Sequence, residues 1–246
     1  FRISMRSVQN DVRMAEFMGA EFKTGQAAPS LQELRDRGYT NVIYAIGAWK
    51  HGQLRLESGK ALNSLEFLKA NRQNPNENPY GEQIVVVGGG NTAMDCARAA
   101  ARLPGVKKVS VVYRRDKRNM PADEEELYLA REDQVEFLEL LSPVKLENSL
   151  LTCDIMRLGA RDQSGRRSPV ATGERTTVPA DTVIAAVGEK VDTEFYQSIG
   201  IQTDQYGKVV SNPDTLETNL ENVYVIGDAN LGPAPLVEAI AAATPD

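Results

Sequence analysis

Residues 84–93 read Ile-Val-Val-Val-Gly-Gly-Gly-Asn-Thr-Ala. An unbroken run of β-branched aliphatic residues fits a strand buried on both faces, as in a parallel sheet. It runs straight into Gly88, Gly89 and Gly90, and the spacing Gly88-x-Gly90-x-x-Ala93 follows. In such a turn the first glycine permits a tight bend. The second lets a pyrophosphate approach bare backbone, and the small third residue lets helix and strand pack closely. Residues 92–102 predict a helix whose first amides point at the phosphates. A glycine triplet alone is a weak signal, and a purely structural turn is the alternative. With a strand before it and a helix after it, the stretch predicts dinucleotide binding through Gly88, Gly89, Gly90, Asn91, Thr92 and Ala93.

Working outward, Gln83–Val87 is the first strand of a βαβ unit. Pro104-Gly105 breaks the chain after the helix, and Lys108–Tyr113 is the second strand. An NAD site places Asp or Glu at the end of that strand to hold the ribose diol. Here the strand runs into Arg114, Arg115, Asp116, Lys117 and Arg118. Guanidinium groups hold a 2′-phosphate by paired, charge-assisted hydrogen bonds. Arg114 and Arg115 therefore predict NADP over NAD. A solvated basic turn is the bland reading, and Asp116 is the residue that could reverse the preference by turning inward.

Two segments echo each other. Val42–Gly47 and Val183–Gly188 are both runs of small and β-branched residues ending at glycine. One lobe inserted into another explains this pattern, with the insert at 80–188 and the host formed by 1–79 and 189–246. Gly188, at the end of the second run, joins the candidate cofactor-binding residues. Elsewhere the pattern predicts helices near 7–18, 30–37 and 60–70, and short strands at 20–23 and between 143 and 180. The Asn/Pro-rich stretch 71–80 reads as a linker. Near the end, Val223-Tyr-Val-Ile-Gly-Asp228 predicts a strand ending at Gly227 and Asp228. A small loop and a helix from Pro235 follow, with Leu236 and Val237 in its first turn. A carboxylate at such a strand tip can accept hydrogen bonds from sugar or ribityl hydroxyls.

Composition excludes several classes. The chain has 246 residues, 41% hydrophobic, and a net charge of −6, which does not attract nucleic acid or anionic lipid. No apolar run approaches the roughly 20 residues of a membrane span. Cys96 and Cys153 form no C-x-x-C pair and no metal-ligand spacing, which fits two thiols in a reducing cytoplasm. His51 is the sole histidine and has no ligand or triad partners nearby in sequence. Glu124, Glu125 and Glu126 suit the start of an exposed helix. No catalytic acid, base or nucleophile is expected.

Val85–Ala97, together with Val111-Val-Tyr-Arg-Arg115 and Met120-Pro-Ala122, resembles the NADPH-binding lobe of the glutamate synthase small-subunit family. That family lies within the wider group of pyridine nucleotide-disulfide oxidoreductase-like flavoproteins, and selenate reductase-type subunits resemble this module too. The segments Val225-Ile-Gly-Asp228 and Val237-Glu-Ala-Ile240 are similar to the family's second FAD motif, and the opening residues to the segment after its first flavin-binding turn. The resemblance implies an α/β fold in which a Rossmann-like NADPH-binding lobe is inserted into a partial FAD-binding lobe. It implies that Arg114 and Arg115 face the 2′-phosphate, that Asp228 contacts the ribityl–pyrophosphate region, and that Leu236 and Val237 approach the isoalloxazine. It further implies electron transfer from NADPH to FAD and on to iron–sulfur centres or a partner domain or subunit. Direct reduction of a small substrate at the flavin and a non-catalytic nucleotide-binding module are the alternatives. The first FAD glycine turn and an iron–sulfur domain are absent from these residues, so the piece is expected to hold NADPH better than FAD.

Overall fold

The computed structural model describes residues 3–162, 165–232 and 241. The chain forms two compact units, one from residues 1–50 and 190–246, the other His51–Glu189. The insertion pattern is therefore present, but the first crossing lies at Lys50/His51 rather than at residue 79. The reason is local. Residues 62–63 add a strand to the inserted unit's sheet, and Phe67 of the following helix is fully buried in its core.

The first unit begins with α1 (Met5–Phe17), capped by the Ser4 hydroxyl, and α2 (Leu31–Asp36). Ser30 and Glu33 form a reciprocal capping box at the start of α2, as their spacing predicts. Residues 20–23 form no strand. The short β1 (Val42–Tyr44) follows, then β2 (Lys50–His51) at the crossing. Of the run Val42–Gly47 only three residues are extended and Ile43 is 59% exposed; among the described residues β1 pairs with β12 alone.

The second unit starts with β3 (Leu62–Asn63) and α3 (Ser64–Gln73). Then come β4 (Gln83–Val87), α4 (Asn91–Ala101), β5 (Lys108–Tyr113), α5 (Glu124–Glu132) and β6 (Glu136–Glu139). The long strands β7 (Leu141–Glu147), β8 (Leu150–Arg161) and β9 (Arg167–Pro179) precede β10 (Thr182–Ala185) and β11 (Glu189–Lys190). A parallel sheet runs in the order β3-β10-β4-β5-β6. Its centre explains the aliphatic run at 84–87. Ile84 and Val86 pack among the residues of α3, α4 and α5, while Val85 and Val87 pack against Leu151, Cys153 and Val178 of a second, antiparallel sheet β7-β8-β9. Burying one such side chain contributes about 1.5–3 kcal/mol. The antiparallel strands are longer than the short ones the sequence predicts. Asn148 and Ser149, both with positive φ, make the two-residue turn joining β7 to β8.

The chain returns to the first unit with α6 (Thr193–Ser198), β12 (Val223–Val225) and α7 (Asp228–Leu231). β12 pairs in parallel with β1, Ile43 opposite Tyr224. Tyr196, Ile201, Val209, Val223 and Val225 form the core, with Tyr44 set edge-on to Tyr196. The helix predicted from Pro235 falls outside the described residues, save residue 241.

Candidate functional site

At the carboxyl end of β4 the three glycines have different physical duties. Gly88 has φ +149, and a Cβ there would collide with the Ala186 carbonyl oxygen. Only glycine lets β4 and the end of β10 pass this closely. Gly89 lies flat on the Tyr113 ring, which a Cβ would meet at 2.6 Å. Gly90 is different: a Cβ there would find nothing nearer than Pro121 at 4.0 Å. Neither neighbouring backbone nor φ requires glycine at that position, although glycine is a favoured helix N-cap residue.

Gly90 is also the N-cap of α4, and no side chain caps it. The first amides of a helix have no intrahelical acceptor and form a ready anion site. Ala93, fully buried, is the small residue that lets α4 approach the strand. Asn91 faces elsewhere than expected. Its side chain donates to the Asp123 carboxylate at 2.9 Å and accepts the Asp123 amide at 2.9 Å, which ties the starts of α4 and α5 together. The Ala122 amide donates to the Gly89 carbonyl at 3.0 Å. Nothing in the sequence reading assigned Tyr113, Ala122 or Asp123 a part in shaping this loop. The Met120-Pro-Ala122 block was the available signal.

β5 ends beside this loop. Arg114 is exposed and makes no ion pair among the described residues. Asp116 does not turn inward. Its carboxylate accepts from the Asn119 amide at 3.2 Å and from the Asn119 side chain at 2.5 Å, within its own turn. One oxygen, Oδ1, of the carboxylate that could have favoured a ribose diol is thus engaged within the turn.

Arg115 departs from the expectation that it faces the 2′-phosphate. It is 6% exposed. Its Nε donates to the Arg167 carbonyl at 2.7 Å, and its Nη2 lies 2.7 Å from the Asp162 carboxylate. Burial beside the β8–β9 hairpin, which sequence spacing does not reveal, supplies both acceptors.

The remaining candidates divide. Gly188 has φ +104 with open space around it, just beyond β10. Gly227 has φ +62, and Asp228 is the first residue of α7 and half-buried. The short loop expected after Asp228 is therefore a four-residue helix. Leu236 and Val237 lie outside the described residues. His51 is exposed and helps line a cavity of about 180 Å³ with Gln53, Arg55, Asn63 and Ala185, at the carboxyl ends of β3 and β10. Cys96 and Cys153 are both buried and free. Burial pushes the Cys96 thiol well up and the Cys153 thiol up to about 12, so neither is poised as a thiolate. Among the described residues no cluster of His, Cys, Asp and Glu could hold a metal ion, and no helix is long and apolar enough to cross a membrane.

The profile of the pyridine nucleotide-disulphide oxidoreductases matches residues 8–243. The chain belongs to that family. It is 39% identical over 251 residues to the protein YgfK of Escherichia coli (strain K12), covering 99% of this chain and 24% of that protein. It is 30% identical to the glutamate synthase [NADPH] small chain of Azospirillum brasilense, over 98% of this chain and 54% of that one. With the NADPH-Fe(3+) oxidoreductase subunit beta of Geobacter sulfurreducens (strain DL-1 / KN400) it shares 32% identity, over 98% and 41%. The chain thus spans about a quarter to a half of the length of these relatives. Among solved structures, Mycobacterium tuberculosis FprA in complex with NADPH superposes with a TM-score of 0.65 at 21% identity, over 85% of this chain and 62% of that one. T. acidophilum thioredoxin reductase superposes at 0.60 and 17% identity, over 81% and 60%. The fold is that of the two-dinucleotide-binding flavoproteins, with one nucleotide-binding lobe inserted in the other, as the sequence predicts.

Proposed function

We propose that this chain is the NADPH-binding part, and a portion of the FAD-binding part, of an oxidoreductase that passes electrons from NADPH to FAD and onward to iron–sulfur centres or a partner subunit. The observation that carries this reading is the Gly90 turn, where an added Cβ would meet nothing nearer than Pro121 at 4.0 Å, beside helix amides without a side-chain cap and an exposed Arg114 that makes no ion pair among the described residues. The amides around Gly90 and Thr92 would hold the diphosphate, and Arg114 would hold the 2′-phosphate. The cavity at the ends of β3 and β10 lies on the other side of β4 from Arg114 in the strand order, which leaves room for the nicotinamide half. Gly188, Gly227 and Asp228, at strand ends, are the further cofactor contacts, and Leu236 and Val237 remain assigned to the flavin by resemblance.

When bound, the reduced nicotinamide supplies a hydride equivalent and FAD accepts it. The residues of this chain bind and orient. None is required as a proton donor or acceptor, since the step depends on placement of the two rings. Relatives named as a small chain and as a beta subunit support onward transfer to a partner.

The test uses the polypeptide with its native flanking domains. NADPH, added anaerobically, bleaches the flavin absorbance, and NADH does so far more slowly. Absence of flavin and of any NADPH oxidation would reduce the reading to a nucleotide-binding module. Bleaching followed by turnover on a small oxidant without a partner would favour direct reduction at the flavin.

A further inference from the structure

We propose that Arg115 is a positioning residue for the cofactor's 2′-phosphate: its guanidinium fixes the β8–β9 hairpin to the 114–119 turn, and so sets where Arg114 stands, without touching the phosphate. This rests on the cofactor reading above and deepens it.

The turn is held from three sides. From the hairpin, Arg115 spans the Arg167 carbonyl and the Asp162 carboxylate, and the Arg167 amide donates to the Asn119 side chain at 3.3 Å. From the neighbouring strand β6, Glu139 accepts the Lys117 amide at 2.7 Å and the Leu140 amide donates to the Arg115 carbonyl at 3.2 Å. From the phosphate loop, the Tyr113 ring lies under Gly89 while its hydroxyl donates to the Asn119 carbonyl at 2.7 Å. Of these ties only the hairpin clamp is an ion pair, formed by a buried guanidinium and a partly exposed carboxylate, and its donor is the residue next to Arg114. A buried guanidinium whose carboxylate is lost is left uncompensated, so this contact is the one most able to displace the turn. Asp162 is also fixed, since it accepts the Arg166 amide at 3.2 Å across the hairpin end.

Asp162→Asn separates positioning from ligation, because the two predict opposite signs. A phosphate ligand released from its carboxylate would be free to bind more tightly. A clamp released from its anchor lets Arg114 drift. The probes are adenosine 2′,5′-bisphosphate and adenosine 5′-monophosphate, titrated calorimetrically against the chain. The native protein binds the bisphosphate more tightly. Asp162→Asn and Arg115→Gln each weaken the bisphosphate by roughly tenfold and leave the monophosphate unchanged. The double variant is no weaker than either single one, as expected of two partners in one interaction. Arg115→Lys, which keeps the charge but loses the fork, falls between.

Unchanged or tighter bisphosphate binding in Asp162→Asn overturns the proposal, and so does full additivity in the double variant. If Arg115→Gln does not fold, Asp162→Asn and Arg115→Lys decide the matter by the same signs. A native protein that does not prefer the bisphosphate overturns the cofactor reading and the clamp with it, whereas a native preference untouched by the variants overturns the clamp alone.

Discussion

Gly90→Ala is the most informative single change, because the three glycines of the loop differ in what a methyl group would meet. At Gly90 the backbone has φ −95 and ψ 178, which any residue adopts, and the added carbon lies 4.0 Å from the nearest neighbour. Losing glycine reduces the freedom of the unfolded chain but substitutes a poorer N-cap residue, so stability changes by less than about 1 kcal/mol in either direction. Binding should behave differently. In the proposed cofactor site the methyl group would stand where the diphosphate comes up to the amides. Each charge-assisted amide bond lost costs about 1.5–3 kcal/mol, which is roughly ten- to a hundredfold in affinity per bond. Thermal melting and calorimetric titration with NADPH separate the two effects. The expected result is a near-native melting temperature with NADPH affinity reduced at least tenfold. Gly88→Ala is the control. Its positive φ and collision with the Ala186 carbonyl predict a loss of stability on the order of 3 kcal/mol before any ligand is added. Native NADPH affinity in a folded Gly90→Ala protein would mean that no phosphate lies over this bend.

Two other outcomes are expected. Asp133 closes α5 against α4 by taking Arg98 Nε at 2.8 Å and Arg102 Nη2 at 2.8 Å. Asp133→Asn should cost about 2–3 kcal/mol in denaturant unfolding, since it leaves Arg98 buried with a weakened partner. The acid limb of stability follows from the same kind of group. The Asp181 carboxylate accepts the Gln83 and Glu82 amides at the start of β4, which lowers its pKa. For Asp133, burial pushes upward but the two guanidiniums outweigh it, and the net shift is also downward. A folded pKa below the unfolded value means that both contributions are complete above about pH 4 and are lost as pH falls through the folded values. Melting temperature measured from pH 6 to pH 2 should therefore decline mainly below pH 4, and less steeply in Asp181→Asn.

The parts of the fold that sequence reveals are those whose cause is local. The aliphatic run into Gly88 marks β4 because both faces of that strand are buried, and the alanine-rich stretch after it marks α4. Ser30 and Glu33 mark α2 by a capping pattern four residues long. What sequence hides is decided by distant partners. Leu62-Asn63 is too short to announce itself as a strand and becomes one only because β10 lies beside it. The length of β8 and β9 comes from their pairing with each other, interrupted by shifts in register that break the alternation of apolar residues. At the site, Arg114 and Arg115 are indistinguishable as letters. One remains exposed and the other is drawn into a buried pair by Asp162, 47 residues away in sequence. Asp116 is likewise settled by Asn119, three residues on.

In the proposed site the cofactor's adenosine arm ends at the exposed guanidinium of Arg114, just beyond β5. Parallel calorimetric titrations of NADPH and NADH into the native chain and into Arg114→Ala test it most directly. The native protein should bind NADPH more tightly than NADH, and the substitution should cost about tenfold or more and bring NADPH down to the NADH level. Equal affinity of the native protein for the two cofactors, or NADPH binding indifferent to Arg114, would contradict it.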